Sequence, residues 1–281
     1  MRNLYIFIIW PKAMFKREKI LNDLKKHFKI VSNVYIKWSE YEKNLKAFYG
    51  HKIVSVEDKL FFIGKGKFNL IVVEDLNPTF EEREVVGGKD LVNVLVFDLK
   101  DKYRKWTGRD FRVHSSQNNA ETIHDLTILL GERYMEILEN AKEDETINID
   151  TIAINKVSTI DGFESVLNNL DVIYYRENDI YHLYSKCSLD LKRIFNESII
   201  LDNNVYQLDI LGEMENQIPQ GLCLLLKDHL DEYISDKEDF YHKYNLNTDI
   251  KEKSSLRKVS KLTFKEKLKK EIRYIIARFK Y

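Results

Sequence analysis

Proline and cysteine are scarce in these 281 residues, with three of the first and two of the second. Cys187 and Cys223 form no CxxC motif and no disulfide framework, which excludes a disulfide-stapled scaffold and fits a reducing cytosol. No apolar run approaches the ~20 residues that cross a bilayer. The short run Leu4 to Trp10 is followed by Pro11 and Lys12 with no small-residue cleavage site, so it reads as a buried strand rather than a signal peptide. Gly64-Lys65-Gly66 lacks the Gly-Lys-Ser/Thr ending and the following helix of a Walker loop and reads as a turn. No metal ligands are assigned.

Net charge is also absent: 45 Lys and Arg balance 45 Asp and Glu. The balance is uneven along the chain. Residues 257–281 hold ten Lys and Arg against two Glu, about +8, leaving about −8 elsewhere. Nucleic acid is disfavoured as a partner, because an acidic body opposes a phosphate backbone. A hydrophobic content of 44% supports ordinary cores. The wealth of Asn, Lys, Ile and Tyr suggests an AT-rich bacterial genome.

The spacing predicts a strand over 4–10, a helix over 16–28, a strand over 28–38, a helix from Ser39 to Tyr49 and a strand over 68–74. A short helical piece after Asn77-Pro78 and an extended segment over 91–98 come next, then the charged run 98–105. Phe111 to Val113 reads as a short strand. Ser115 to Asn119 is turn-like, and a helix follows to about Leu138, with Ile123, Leu126, Leu129 and Leu130 on one stripe. His114 therefore stands where a strand yields to a loop before a helix, a position that favours reactive groups. An imidazole there can be nucleophile, base or ligand. A lone histidine is more often structural; its neighbours shift those odds.

Those neighbours are Ser116, two places on, and Asp125, eleven places on in the helix. The segment resembles the active-site stretch of nucleoside diphosphate kinases, His-Gly-Ser-Asp-Ser followed by a helix with an acidic residue. Ser115, Gln117 and Asn118 replace the family's Gly, Asp and second Ser. The resemblance covers roughly residues 3–138 and implies a ferredoxin-like α/β sandwich. It implies His114 as phospho-acceptor, Asp125 holding its imidazole and Ser116 assisting. It further implies a nucleotide site from Tyr49, Phe61, Arg83 and Arg104, with a nucleoside triphosphate as donor and Mg²⁺ carried in on its phosphates. The family's first strand ends in Lys-Pro-Asp; here it ends Trp10-Pro11-Lys12, so the cation has moved two residues along.

The rest divides into a polar linker over 139–146, a small α+β domain over about 147–250 and a basic amphipathic helix over 257–281, with the first domain at 1–140. Thr263 and Glu266 form a capping box, and Phe264, Leu268, Ile272, Ile275 and Phe279 follow at helical steps. Such a helix suits packing on the protein, an anionic inner-membrane surface or a partner in surface-glycan assembly. The stretch 171–178 is faintly similar to nucleotidyltransferase-like domains, with Asp190 and Asp209 as candidate carboxylates. Three functions follow as expectations for a cytoplasmic protein, peripheral at the membrane if the helix docks there. The first is phosphoryl transfer through His114. The second is a non-catalytic nucleotide-binding or scaffold module. The third, weaker, is nucleotidyl transfer by the second half.

Overall fold

The computed structural model describes residues 2–246 apart from 86–87, 109, 132, 140–142, 151, 153, 155–156, 187, 215–216, 220–221 and 245. The helix expected over 257–281 lies outside the described residues. The chain is mixed α/β and its described residues form two compact units, one drawn from 2–48 and 52–152, the other from 49–51 and 154–246. Among the described residues no helix is long and apolar enough to cross a membrane.

The first unit runs β1 (Leu4–Ile9), α1 (Arg17–His27), β2 (Lys29–Trp38), α2 (Tyr41–Tyr49), α3 (Val56–Ile63), β3 (Phe68–Glu74), β4 (Phe80–Val85), β5 (Gly88–Asn93), α4 (Val94–Trp106), β6 (Val113–Ser115), α5 (Asn119–Leu130), α6 (Arg133–Glu139) and β7 (Glu143–Ile149). Its sheet has the order β6-β1-β3-β2-β7. The β1–β3, β1–β6 and β2–β3 pairs are antiparallel, and β2–β7 is parallel. Every residue of β1 and β3 is buried, because both are inner strands with cover on two faces.

Side chains alternate across β1. Tyr5, Phe7 and Ile9 join Ile20, Leu21 and Leu24 of α1 and Val96, Leu99 and Tyr103 of α4 in one core. On the other face Trp10 is fully buried. Its ring centroid lies 4.7 Å from Phe68, 5.8 Å from Trp38 and 6.3 Å from Phe48. This aromatic cluster fixes α2 against the face that also carries His114.

Four local expectations change. The piece after Asn77-Pro78 is a strand, pairing with β5 in a two-stranded ribbon from Phe80↔Asn93 to Val85↔Gly88. The charged run 98–105 is helical, because Asn93 caps α4 by accepting from Val96 N at 3.1 Å. The helix expected to Leu138 breaks at Gly131, where φ is +57°, a backbone region that glycine enters at little cost. The polar stretch expected as a linker is partly β7, an edge strand that turns Ile147 and Ile149 inward. Edge strands carry such polar sequences readily. Arg17 secures it: its guanidinium binds Asp144, Glu18 and Asn69 and lies 4.9 Å from the Tyr35 ring centre.

The second unit runs α7 (Ile160–Asn169), β8 (Ile173–Glu177), β9 (Ile180–Ser185), α8 (Ser188–Ile194), β10 (Ser198–Leu201), β11 (Asn204–Gly212), α9 (Leu222–Ser235) and α10 (Lys237–Lys243). Its sheet order is β10-β11-β9-β8, with β9 and β11 parallel. Asp202 and Asn203, at φ of 49° and 65°, make the tight β10–β11 turn.

Candidate functional site

The short strand β6 is held on β1 with His114 opposite Ile8, and Trp10 N donates to Arg112 O at 3.1 Å. Beyond it, Asn118 caps α5 by accepting from Glu121 N at 2.8 Å. Asp125 follows about two turns after the cap. These two anchors bring Asp125 Oδ2 to 2.9 Å from His114 Nε2. The side chains are 15% and 6% exposed, respectively. Phe48 sets its ring edge-on to the imidazole at 5.4 Å.

The Asp125 carboxyl is subject to two opposed effects. Burial pushes its pKa up, but hydrogen bonds from His114 and His124, with their charge, hold it at about 2. His124 Nδ1 lies 3.2 Å from its second oxygen. An ionised carboxylate is an acceptor only, so Nε2 is the nitrogen of His114 that carries hydrogen. In the neutral ring the lone pair is then on Nδ1.

Ser116 is fully buried. Its Oγ accepts from Ile6 N at 3.0 Å and lies 2.8 Å from Thr122 Oγ1. Thr122 donates its proton to Leu4 O at 2.7 Å, so the Ser116 proton goes to Thr122. This relay ties β1, the loop after β6 and the first turn of α5 together, and it places His114 relative to Asp125. Ser116→Ala is expected to leave Ile6 N–H without its acceptor and cost about 1–3 kcal/mol. Denaturant unfolding checks this; no loss of stability would contradict the relay.

The other expected residues sit on separate elements, each with its own partners. Lys12 Nζ donates to Phe61 O at 3.0 Å and lies 5.1 Å from the Phe61 ring centre, so it braces α3. Phe61 packs edge-on against Phe62 at 5.2 Å. Tyr49 ends α2 and groups with the second unit. Arg83 pairs with Glu81 at 2.8 Å on the β4–β5 ribbon and stands opposite Asp90. Asp90 accepts from Asn118 at 3.4 Å, which leans the ribbon toward the loop after His114. Arg104 Nε donates to Val113 O at 2.9 Å, directly beside His114 in sequence. Arg112, next to Val113, is fully buried and donates to Thr107 O at 3.1 Å.

Two cations missed in the sequence join this group. Lys59 of α3 lies 4.4 Å from the ring centre of Phe111. Lys100 of α4 stands one helical turn before Arg104. Burial, and then the Arg104 charge, push the Lys59 amine well below its usual range. Burial and Arg104 lower Lys100 to about 8, against a smaller upward pull from Glu121. The signal was the i, i+4 spacing of Lys100 and Arg104, which is legible only once 98–105 is read as a helix.

In the second unit Asp190 pairs with Arg193 at 3.2 Å, while Asp209 Oδ2 lies 3.0 Å from His182 Nδ1. The Tyr175 ring stacks on His182 at 4.6 Å. Among the described residues no group of three or more His, Cys, Asp or Glu could hold a metal ion. The chain matches no protein-family model, and no curated protein matches it.

Proposed function

We propose that the first unit is a nucleotide-dependent phosphotransferase of the nucleoside diphosphate kinase type, with His114 as phospho-acceptor. The observation that carries this reading is the 2.9 Å contact between His114 Nε2 and the buried Asp125 carboxylate. A phosphohistidine needs one ring nitrogen fixed and the other nucleophilic, and this contact supplies the first and sets the second. The β6-β1-β3-β2 order, with α1 and α4 on one face, supports the ferredoxin-like core that the family resemblance implies.

In the reaction the Nδ1 lone pair attacks the terminal phosphorus of a nucleoside triphosphate. The N–P bond forms, the bridging P–O bond breaks, and the nucleoside diphosphate leaves with that electron pair. The proton stays on Nε2, where Asp125 balances the growing ring charge. Mg²⁺ travels with the nucleotide and neutralises its phosphates. A second substrate, offering a phosphate or hydroxyl oxygen, then takes the phosphoryl group from Nδ1. Ser116 acts as a positioning residue, since its proton is committed to Thr122.

The test is incubation of the full chain with γ-labelled ATP and Mg²⁺ beside His114→Ala. Acid-labile, base-stable label in the wild type and none in the variant is expected. Bound nucleotide without label would favour a second reading, a non-catalytic nucleotide-binding module. The engagement of Lys12 with Phe61 O and the burial of Trp10 where the family has its lysine support that alternative. In either case the basic charge of residues 257–281 suits a membrane surface or a glycan-assembly partner. Nucleotidyl transfer by the second unit is the weakest reading, because Asp190 and Asp209 have different partners.

A further inference from the structure

We infer that His124 is a positioning residue for the chemistry at His114. It clamps the Asp125 carboxylate through the oxygen that His114 does not use, and so sets the plane in which that carboxylate meets His114 Nε2. The inference rests on the phosphotransferase reading of His114 and adds a residue that the family resemblance does not supply.

Consecutive side chains on an α-helix diverge by about 100° and do not ordinarily face each other. His124 and Asp125 are consecutive in α5, yet His124 Nδ1 lies 3.2 Å from Asp125 Oδ1. The His124 side chain is 40% exposed, so water is within its reach, but the ring turns back along the helix to the carboxylate. Asp125 Oδ2 lies 2.9 Å from His114 Nε2. Among the described residues these two rings are the hydrogen-bond partners of the carboxylate, one on each oxygen. A carboxylate held through one oxygen can still rock about its Cβ–Cγ bond, a torsion with broad wells. A donor on each oxygen removes that freedom. Because the carboxylate is an acceptor only, His124 donates from Nδ1.

The surrounding anchors leave this rotation to His124. α5 is fixed on β1 where Thr122 donates to Leu4 O at 2.7 Å, and Asn118 caps its first turn. These contacts place the backbone of Asp125 but not its head group. Phe48 stands edge-on to the His114 ring at 5.4 Å and offers packing, not a hydrogen bond. The orientation of the Asp125 carboxylate therefore carries through Nε2 to the direction of the Nδ1 lone pair. In-line attack on phosphorus tolerates little misalignment, so a rocking carboxylate slows it. His124 acts through Asp125 and not on the reacting atoms.

The experiment uses the full chain as wild type, His124→Asn and His124→Leu. Asparagine carries an N–H donor close to the place of Nδ1 and keeps the clamp, whereas leucine keeps bulk without a donor. The first readout needs no nucleotide. It is the NMR resonance of the His114 Nε2–H proton, assigned with His114→Ala. In wild type and His124→Asn this proton is expected far downfield and slow to exchange with water. In His124→Leu it is expected upfield of that position and faster to exchange. The second readout is single-turnover labelling with γ-labelled ATP and Mg²⁺. His124→Leu is expected to slow labelling about 10-fold, the size of one hydrogen bond to a charged group, with nucleotide affinity unchanged. His124→Asn is expected to stay within a few-fold of wild type. Circular dichroism checks that both variants fold. An unmoved Nε2–H resonance in His124→Leu would overturn the clamp, as would equal slowing by Asn and Leu. A resonance that moves as expected, with no label in any protein, keeps the clamp and removes the phosphotransferase reading. Label at one rate in all three proteins, with an unmoved resonance, keeps that reading and removes the clamp.

Discussion

Asp125→Asn is expected to slow phosphorylation of His114 by on the order of 10²–10⁴-fold while leaving the first unit folded. The carboxylate accepts from Nε2 and thereby fixes both the ring and its tautomer. An amide can present its NH₂ instead, which favours the tautomer with hydrogen on Nδ1 and removes the nucleophilic lone pair. It also cannot balance the charge that grows on the ring as the N–P bond forms. Single-turnover labelling measures the rate, and an unchanged rate would show that Asp125 is merely packed beside His114. The same variant has a pH signature. The Asp125 pKa is depressed to about 2, so its stabilisation is present above the ordinary carboxyl value of about 3.9 and is lost as pH falls toward 2. A shift of that size corresponds to on the order of 2–3 kcal/mol. Urea unfolding between pH 5 and 2 should show this acid loss in the wild type and a flatter profile in Asp125→Asn.

Trp10→Ala is expected to destabilise the first unit by about 3–5 kcal/mol. The indole is fully buried between Trp38, Phe48 and Phe68, and its removal leaves a cavity that three rigid rings cannot collapse to fill. Phe48 also touches His114, so the cavity lies one ring away from the imidazole. Far-UV circular dichroism in denaturant follows the loss. A cost below about 1 kcal/mol would mean that the cluster is not a rigid support. Trp10→Lys is expected to be more damaging, because it buries a charge in an apolar cluster. The end of β1 serves as core.

Much of this arrangement was legible in the chain. β1, α1, β2 and β3 announce themselves through apolar runs and helical spacing, and His114 stands out at a strand-to-helix junction, with Ser116 and Asp125 picked out by the resemblance to nucleoside diphosphate kinases. What was hidden depended on partners distant in sequence. Phe80–Val85 is too charged to read as a strand until its pairing with Gly88–Asn93 is seen. The α4 start is set by one Asn93 cap, and missing it hid the shared face of Lys100 and Arg104. β7 resembles a linker because an edge strand needs only two inward residues. The role of Ser116 was the least legible. A serine two places from a histidine could as well donate to a ligand, and only the Ile6–Thr122–Leu4 chain of hydrogen bonds identifies it as a structural relay.

The most direct test of the central claim is the position of the phosphoryl group on the imidazole. The full chain, phosphorylated with Mg·ATP and held at alkaline pH, would be read by ³¹P NMR against the two phosphohistidine isomers, with His114→Ala alongside. Because Asp125 engages Nε2, the account predicts a single signal from Nδ1-phosphohistidine that is absent in the variant. Phosphate on Nε2, a signal that survives in His114→Ala, or no phosphohistidine at all would contradict it.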